Sequence, residues 1–216
     1  MKRIVLSLAA LCAVLLLSST TRAADEKKPA APAAPVDSLA LLEKAVAKDS
    51  TKFDNLMRLG VMYLDRDRVT EATRVLNKAV QIKPKDLKAL VNLGAAYDAA
   101  GDGGKAQEYY SRALGVSPSD SVASCRLASS LYAQGKYADA ITRLRDTIAK
   151  HPRAHCAYFT LGVAFADAGI YADAIRMWKK VVELAPDSPE AMSAKESIDV
   201  LEKYVQRTGA TSATSK

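Results

Sequence analysis

The chain is poor in the residues that most often carry chemistry: its 216 residues include two histidines, three cysteines and one tryptophan. The histidines, His151 and His155, flank Pro152. A spacing of four across a proline turn is not the metal-binding pair that one helical turn would make. Serines and threonines are many, but no His/Asp arrangement stands ready to activate them. No phosphate-cradling loop is present either. Gly101, Asp102, Gly103 and Gly104 lie between helical segments and lack the preceding strand that such loops need. No catalytic residue, metal-ligand set or cofactor is therefore expected. Lys and Arg never cluster with interleaved aromatics, which argues against a nucleic-acid partner. Long apolar runs are scarce as well. The one at 4–17 is 14 residues, too short to cross a bilayer as a helix.

That run has another reading. Lys2 and Arg3 precede it, and a polar stretch ending in Thr21, Arg22 and Ala23 follows. This is the pattern of a secretory signal over 1–23, removed after Ala23. Cys12 is not a lipidation site, because it sits within the run behind Leu11, where a small residue belongs. Losing Lys2, Arg3 and Arg22 takes the net charge from +7 to +4. The mature chain is expected to be exported, most simply to a periplasm, without insertion into a membrane. Residues 24–36 mix three prolines with alanines and charges and read as a semi-extended tether. The folded part should span 37–207, and the small polar stretch 208–216 reads as a frayed tail.

The folded part is periodic. A period of 34 aligns four blocks, 53–86, 87–120, 121–154 and 155–188, without a gap. The eighth place holds Gly60, Gly94, Ala128 and Gly162, each preceded by leucine. The eleventh holds Tyr63, Tyr97, Leu131 and Phe165, and the twentieth is Ala72, Ala106, Ala140 and Ala174. The twenty-fourth is bulky (Leu76, Tyr110, Leu144, Trp178), and the thirty-second is Pro84, Pro118, Pro152 and Pro186. Apolar residues three and four apart predict two amphipathic helices per block. Small residues at the eighth and twentieth places let those helices approach closely. Proline at the thirty-second place stops the second helix, and Asp86 and Asp120 then stand where an N-cap belongs. Gly101, Gly135 and Gly169 mark the turn inside three blocks, with Asp67 at the same place in the first.

This pattern resembles the tetratricopeptide repeat family. Leu56, Leu59, Gly60, Tyr63, Ala72, Leu76, Ala79 and Pro84 reproduce its signature, with Phe53 in place of the usual tryptophan. The third block is the weakest match, with Ser124 and Ala128 in its first helix and Thr147 in its second. The resemblance implies an all-α, right-handed superhelical solenoid of four repeats. Upstream, Leu42 to Val46 mimics Leu76 to Val80, so 37–49 is expected to be a lone second helix. Downstream, Ser188 can cap a helix begun by Pro189, with Ala191, Ala194, Ile198, Leu201 and Val205 on its apolar side. Residues 189–207 are thus expected to cap the stack.

In this family certain places of each first helix line the concave groove, and here they supply a mixed surface. The apolar members are Met57, Val61, Val91, Ala95, Val122, Cys125, Phe159 and Val163. The polar members include Asp54, Arg58, Asp65, Lys88, Asn92, Asp98, Arg126, Ser129, Tyr132 and Asp167. Some relatives grip a partner's terminal carboxylate at five such places. Asn92 and Arg126 match two, and Met57, Val61 and Val122 replace the others. The expectation is instead an apolar strip with a charged rim that receives a protein or peptide segment. Cys125 and Cys156 fall on consecutive first helices. They either form a disulfide, if their Cα atoms lie within about 7 Å, or serve as small buried hydrophobes. The leading function is an exported interaction scaffold or assembly factor. The alternatives are a chaperone-like subunit of an exported enzyme complex, such as one for cytochrome c or outer-membrane assembly, and haem or metal handling through His151, His155 and Cys156.

Overall fold

Leucine and alanine are good helix formers, and with valine at three- and four-residue spacing they give one apolar face; each such stretch is a helix. The computed structural model describes residues 38–208. The expected signal at 1–23, the tether at 24–36 and the tail beyond Thr208 lie outside the described residues, as does Asp37. Within them the fold is all-α, with ten helices and no strand. A lone helix, α1 (Ser38–Lys48), comes first. Four pairs follow: α2 (Phe53–Leu64) with α3 (Val69–Ile82), α4 (Leu87–Ala99) with α5 (Gly103–Val116), α6 (Ser121–Ala133) with α7 (Tyr137–Lys150), and α8 (His155–Asp167) with α9 (Tyr171–Leu184). The long α10 (Pro189–Thr208) closes the chain.

The turn inside each pair has one construction. Asp67, Gly101, Gly135 and Gly169 all adopt left-handed backbone, with φ of 57°, 77°, 76° and 76°. The N–H of the following residue reaches back to the eleventh-place carbonyl, as Arg68 does to Tyr63 at 2.8 Å and Asp102 to Tyr97 at 2.9 Å. This double closure of a helix C-terminus satisfies carbonyls that would otherwise face nothing. Between pairs, Asp86 accepts from the Ala89 N–H at 2.9 Å and Asp120 from that of Ala123 at 2.7 Å. Ser188 accepts from Ala191 at 3.1 Å in the same way. Each cap stabilises its helix by about 1 kcal/mol.

Inside each pair the eighth and twenty-fourth places form a socket. A Cβ on Gly60 would meet Leu76 at 2.5 Å, and one on Gly94 would meet Tyr110 at 2.5 Å. On Gly162 it would overlap Trp178. The small eighth residue therefore clears room for a bulky side chain from the second helix, rather than for that helix's backbone. Leu76, Tyr110 and Leu144 are fully buried as a result, and the alanines of the twentieth place are likewise sealed. Each fully buried Leu contributes about 1.5–3 kcal/mol.

Tyrosine at the eleventh place then joins successive pairs. Tyr63 donates its hydroxyl to Glu43 of α1 at 2.8 Å, and Arg68 donates to the same carboxylate at 2.9 Å. One period later Asn77, which aligns with Glu43, donates to the Tyr97 hydroxyl at 3.2 Å. Thus α1 stands to α2 as α3 stands to α4.

A non-glycine residue in left-handed backbone is strained by about 1 kcal/mol, somewhat less for Asp. Asp67→Gly is expected to raise unfolding stability by roughly 0.5–1 kcal/mol, read by urea denaturation. A loss of stability would mean that the Asp67 side chain supports the turn.

Candidate functional site

Sequential packing gives the stack an inner and an outer side. Helices α2, α4, α6 and α8 each approach the next of their kind, and α10 approaches α8 in the same manner. Among the described residues no second helix approaches another. The first helices therefore crowd the inner side, and the second helices fan outward. Pro189 lies one period after His155, so α10 takes the place of a fifth first helix. It packs Ala191, Ala194 and Ile198 against α8 and α9.

Two valines present the clearest apolar surface on the inner side, Val61 at 38% and Val122 at 52% exposed. Met57, Val91 and Ala95 lie half-buried between them in register, with Met57 and Val91 resting on the core below. Asp54, Arg58, Asp65, Lys88 and Arg126 are exposed around them. Arg58, Lys88, Arg126 and Asp54 make no ion pair among the described residues. Asn92 is half-buried alongside.

Other residues expected in the strip are engaged elsewhere. Cys125 is only 4% exposed and is joined to Cys156 in a disulfide, with Cα atoms 6.0 Å apart. It links α6 to α8 and offers no groove surface. Cys156 consequently has no thiolate to lend to a haem or metal site. Asp98 accepts from the Tyr110 hydroxyl at 2.9 Å and from Ser130 at 2.7 Å, so its carboxylate works inside the stack. Ser129 shares a hydrogen bond of 3.2 Å with Thr160, and Tyr132 donates to Asp167 at 2.8 Å. Phe159 and Val163 are half-buried against the cluster that α10 forms with α9. The exposed apolar strip is thus concentrated on α2, α4 and α6, and α10 covers its far end. Thr160 was not among the expected residues. Its place, the sixth of its block, was the signal that could have found it.

Burial and an adjacent carboxylate raise three phenols, Tyr63 beside Glu43 and, more strongly, Tyr110 and Tyr132. Desolvation first, then the Asp98 charge and hydrogen bond, push the Tyr110 phenol far above its usual value of 10.0. Burial and the hydrogen bond to Asp167 push Tyr132 upward as well.

Comparison with known proteins follows the same lines. Models described as tetratricopeptide repeat match residues 63–124 and 125–189. No curated protein sequence matches the chain. Among solved structures it is similar to PilF of Pseudomonas aeruginosa, at 23% identity over 74% of this chain and 72% of that one, TM-score 0.60. It is also similar to PilW, described as a type IV pilus biogenesis factor, at 19% identity over 81% and 86%, TM-score 0.60. YrrB, described as a repeat protein with an unusual peptide-binding site, is 23% identical over 73% and 81%, TM-score 0.52. At these identities the likeness is one of fold.

The raised phenols set a pH dependence. The folded state holds these protons more tightly than the unfolded chain. Their stabilisation is therefore fully present below the ordinary phenol value of 10.0 and is lost as pH rises above it. Tyrosinate absorbance should show Tyr110 and Tyr132 ionising at higher pH than the unshifted phenols. Tyr110→Phe should make the alkaline loss of stability shallower, and an unchanged alkaline limb would refute the assignment.

Proposed function

The chain belongs to the tetratricopeptide repeat family, and we propose that it is an exported protein–protein interaction scaffold that receives a partner segment on the inner face of its first helices. The observation that carries this reading is the strip in which Val61 and Val122 are exposed on the inner side with Met57, Val91 and Ala95 half-buried between them, rimmed by charges that make no ion pair among the described residues. Apolar side chains left exposed together beside unpaired charges are the composition of a binding surface with a dry centre and a polar rim. Three consecutive first helices supply it, so the strip suits an extended or helical segment rather than a small molecule.

Export is supported by two independent features. One is the signal pattern at 1–23. The other is the Cys125–Cys156 disulfide, a bond that persists in oxidising compartments and is uncommon in reducing ones. No helix among the described residues is long and apolar enough to cross a membrane. The likeness to PilW, a type IV pilus biogenesis factor, is compatible with an envelope assembly role, and the peptide site of YrrB with capture of a chain segment.

Photocrosslinking amino acids placed at Val61 and Val122 in the native cell are expected to trap one and the same protein, whereas Arg74 and Arg145 on second helices should not. Val61→Asp with Val122→Asp should abolish that product without altering helicity or melting temperature. Crosslinks confined to Arg74 or Arg145 would move the site to the outer side. Protein recovered from the envelope should begin at Ala24, and an intact Met1 in the cytosol would contradict export.

A further inference from the structure

The third repeat departs from the other three at buried places, and the departure opens a space. Its fourth place is Ser124, where the others have Leu56, Leu90 and Tyr158. Its eleventh is Leu131, where the first two have the bridging tyrosines Tyr63 and Tyr97. In the second repeat Tyr97 also stacks on Tyr109, ring centroids 5.4 Å apart. The corresponding pair here is Leu131 and Arg143. Two undersized residues leave a cavity of about 500 Å³ between α5, α6 and α7. That volume is within the range of small-molecule sites. It opens between second helices and shares no residue with the inner strip.

The lining is polar and incompletely matched. Gln107 Nε2 and His151 Nε2 are buried without a hydrogen-bond partner, and both residues line the cavity. Lys136 occupies the Gln107 Oε1 at 3.2 Å, which leaves the amide N–H₂ as the free end. Ser124 and Thr147 satisfy one another at 2.7 Å on the floor. Along one wall α7 supplies Asp139, Arg143, Asp146 and Lys150, two charges of each sign. Their spacing would allow helical ion pairs, yet none of the four is paired within 4.0 Å among the described residues. A purely anionic or cationic ligand would meet repulsion from half of this wall. A molecule carrying both signs would meet both.

We propose that this cavity is a second binding site, distinct from the inner strip, for a small zwitterion of the amino-acid or short-peptide class. Arg143 receives the carboxylate, and Asp139 or Asp146 receives the ammonium.

The test titrates the full exported chain, followed by two-dimensional amide NMR, with trialanine, free L-alanine and trialanine blocked by acetyl and amide groups. Saturable shifts centred on Gln107, Arg143 and His151 are expected with trialanine or alanine. The tighter of the two identifies the source as peptide or free amino acid. The blocked peptide should bind at least about tenfold more weakly. Ser124→Leu with Leu131→Tyr, which restores the bulk found in other repeats, should abolish binding while keeping or raising the melting temperature. Arg143→Gln, a partly exposed change that leaves the cavity open, should weaken binding about tenfold whether or not the filled variant folds. No saturable shift with either zwitterion, as for a cavity that holds only water, would overturn the proposal. So would equal binding of the blocked peptide, or undiminished binding by Arg143→Gln.

Discussion

Everything in this molecule depends on a socket. At the eighth place of a first helix a residue with little or no side chain receives a bulky one from the twenty-fourth place of the second helix. Gly60 takes Leu76, Gly94 takes Tyr110 and Gly162 takes Trp178, whose indole N–H also donates to the Phe159 carbonyl at 3.2 Å. The contact locks each pair at one separation and one rotation. With rotation fixed, the left-handed turn and the proline stop repeat the same geometry down the chain. The second, fifth and ninth places of successive first helices then fall in register on the inner side. The proposed binding surface is thus a consequence of core packing: the faces that the socket does not use are the faces left open on the inner side.

The same logic accounts for both ends. Helix α1 has the place of a second helix and is fastened by Glu43 to Tyr63 and Arg68. Helix α10 has the place of a first helix. Its eighth place, however, is Glu196 rather than a small residue, so it lacks the socket of the other first helices. Between the ends, the disulfide joins the third and fourth first helices beside the block whose packing is loosest.

Much of the fold was legible because its determinants recur at fixed places. Gly60 against Leu76, Ala72 in its seal and Asp86 at its cap each depend on residue type and position within one period. The left-handed turn was legible even through Asp67, a residue that tolerates it less well than glycine. The candidate site was less so, because its chemistry depends on reach between helices. Asp98 occupies a groove place by register, yet its carboxylate is claimed by Tyr110, twelve residues on, and Ser130, thirty-two on. Cys125 is likewise groove-facing by count and buried in fact. Phe159 and Val163 have their exposure reduced by α10, which a repeat-by-repeat reading treats separately. The cavity in the third repeat arises from Ser124 and Leu131 jointly, and neither residue alone signals it.

The socket can be tested by a double-mutant cycle on Gly60 and Leu76, measured by urea denaturation of the full chain. If the glycine exists to clear the leucine, Gly60→Ala destabilises the native chain. In a Leu76→Ala background the same change should be neutral or stabilising by up to about 1 kcal/mol, the helix preference of alanine over glycine. Equal effects of Gly60→Ala in both backgrounds would contradict the account.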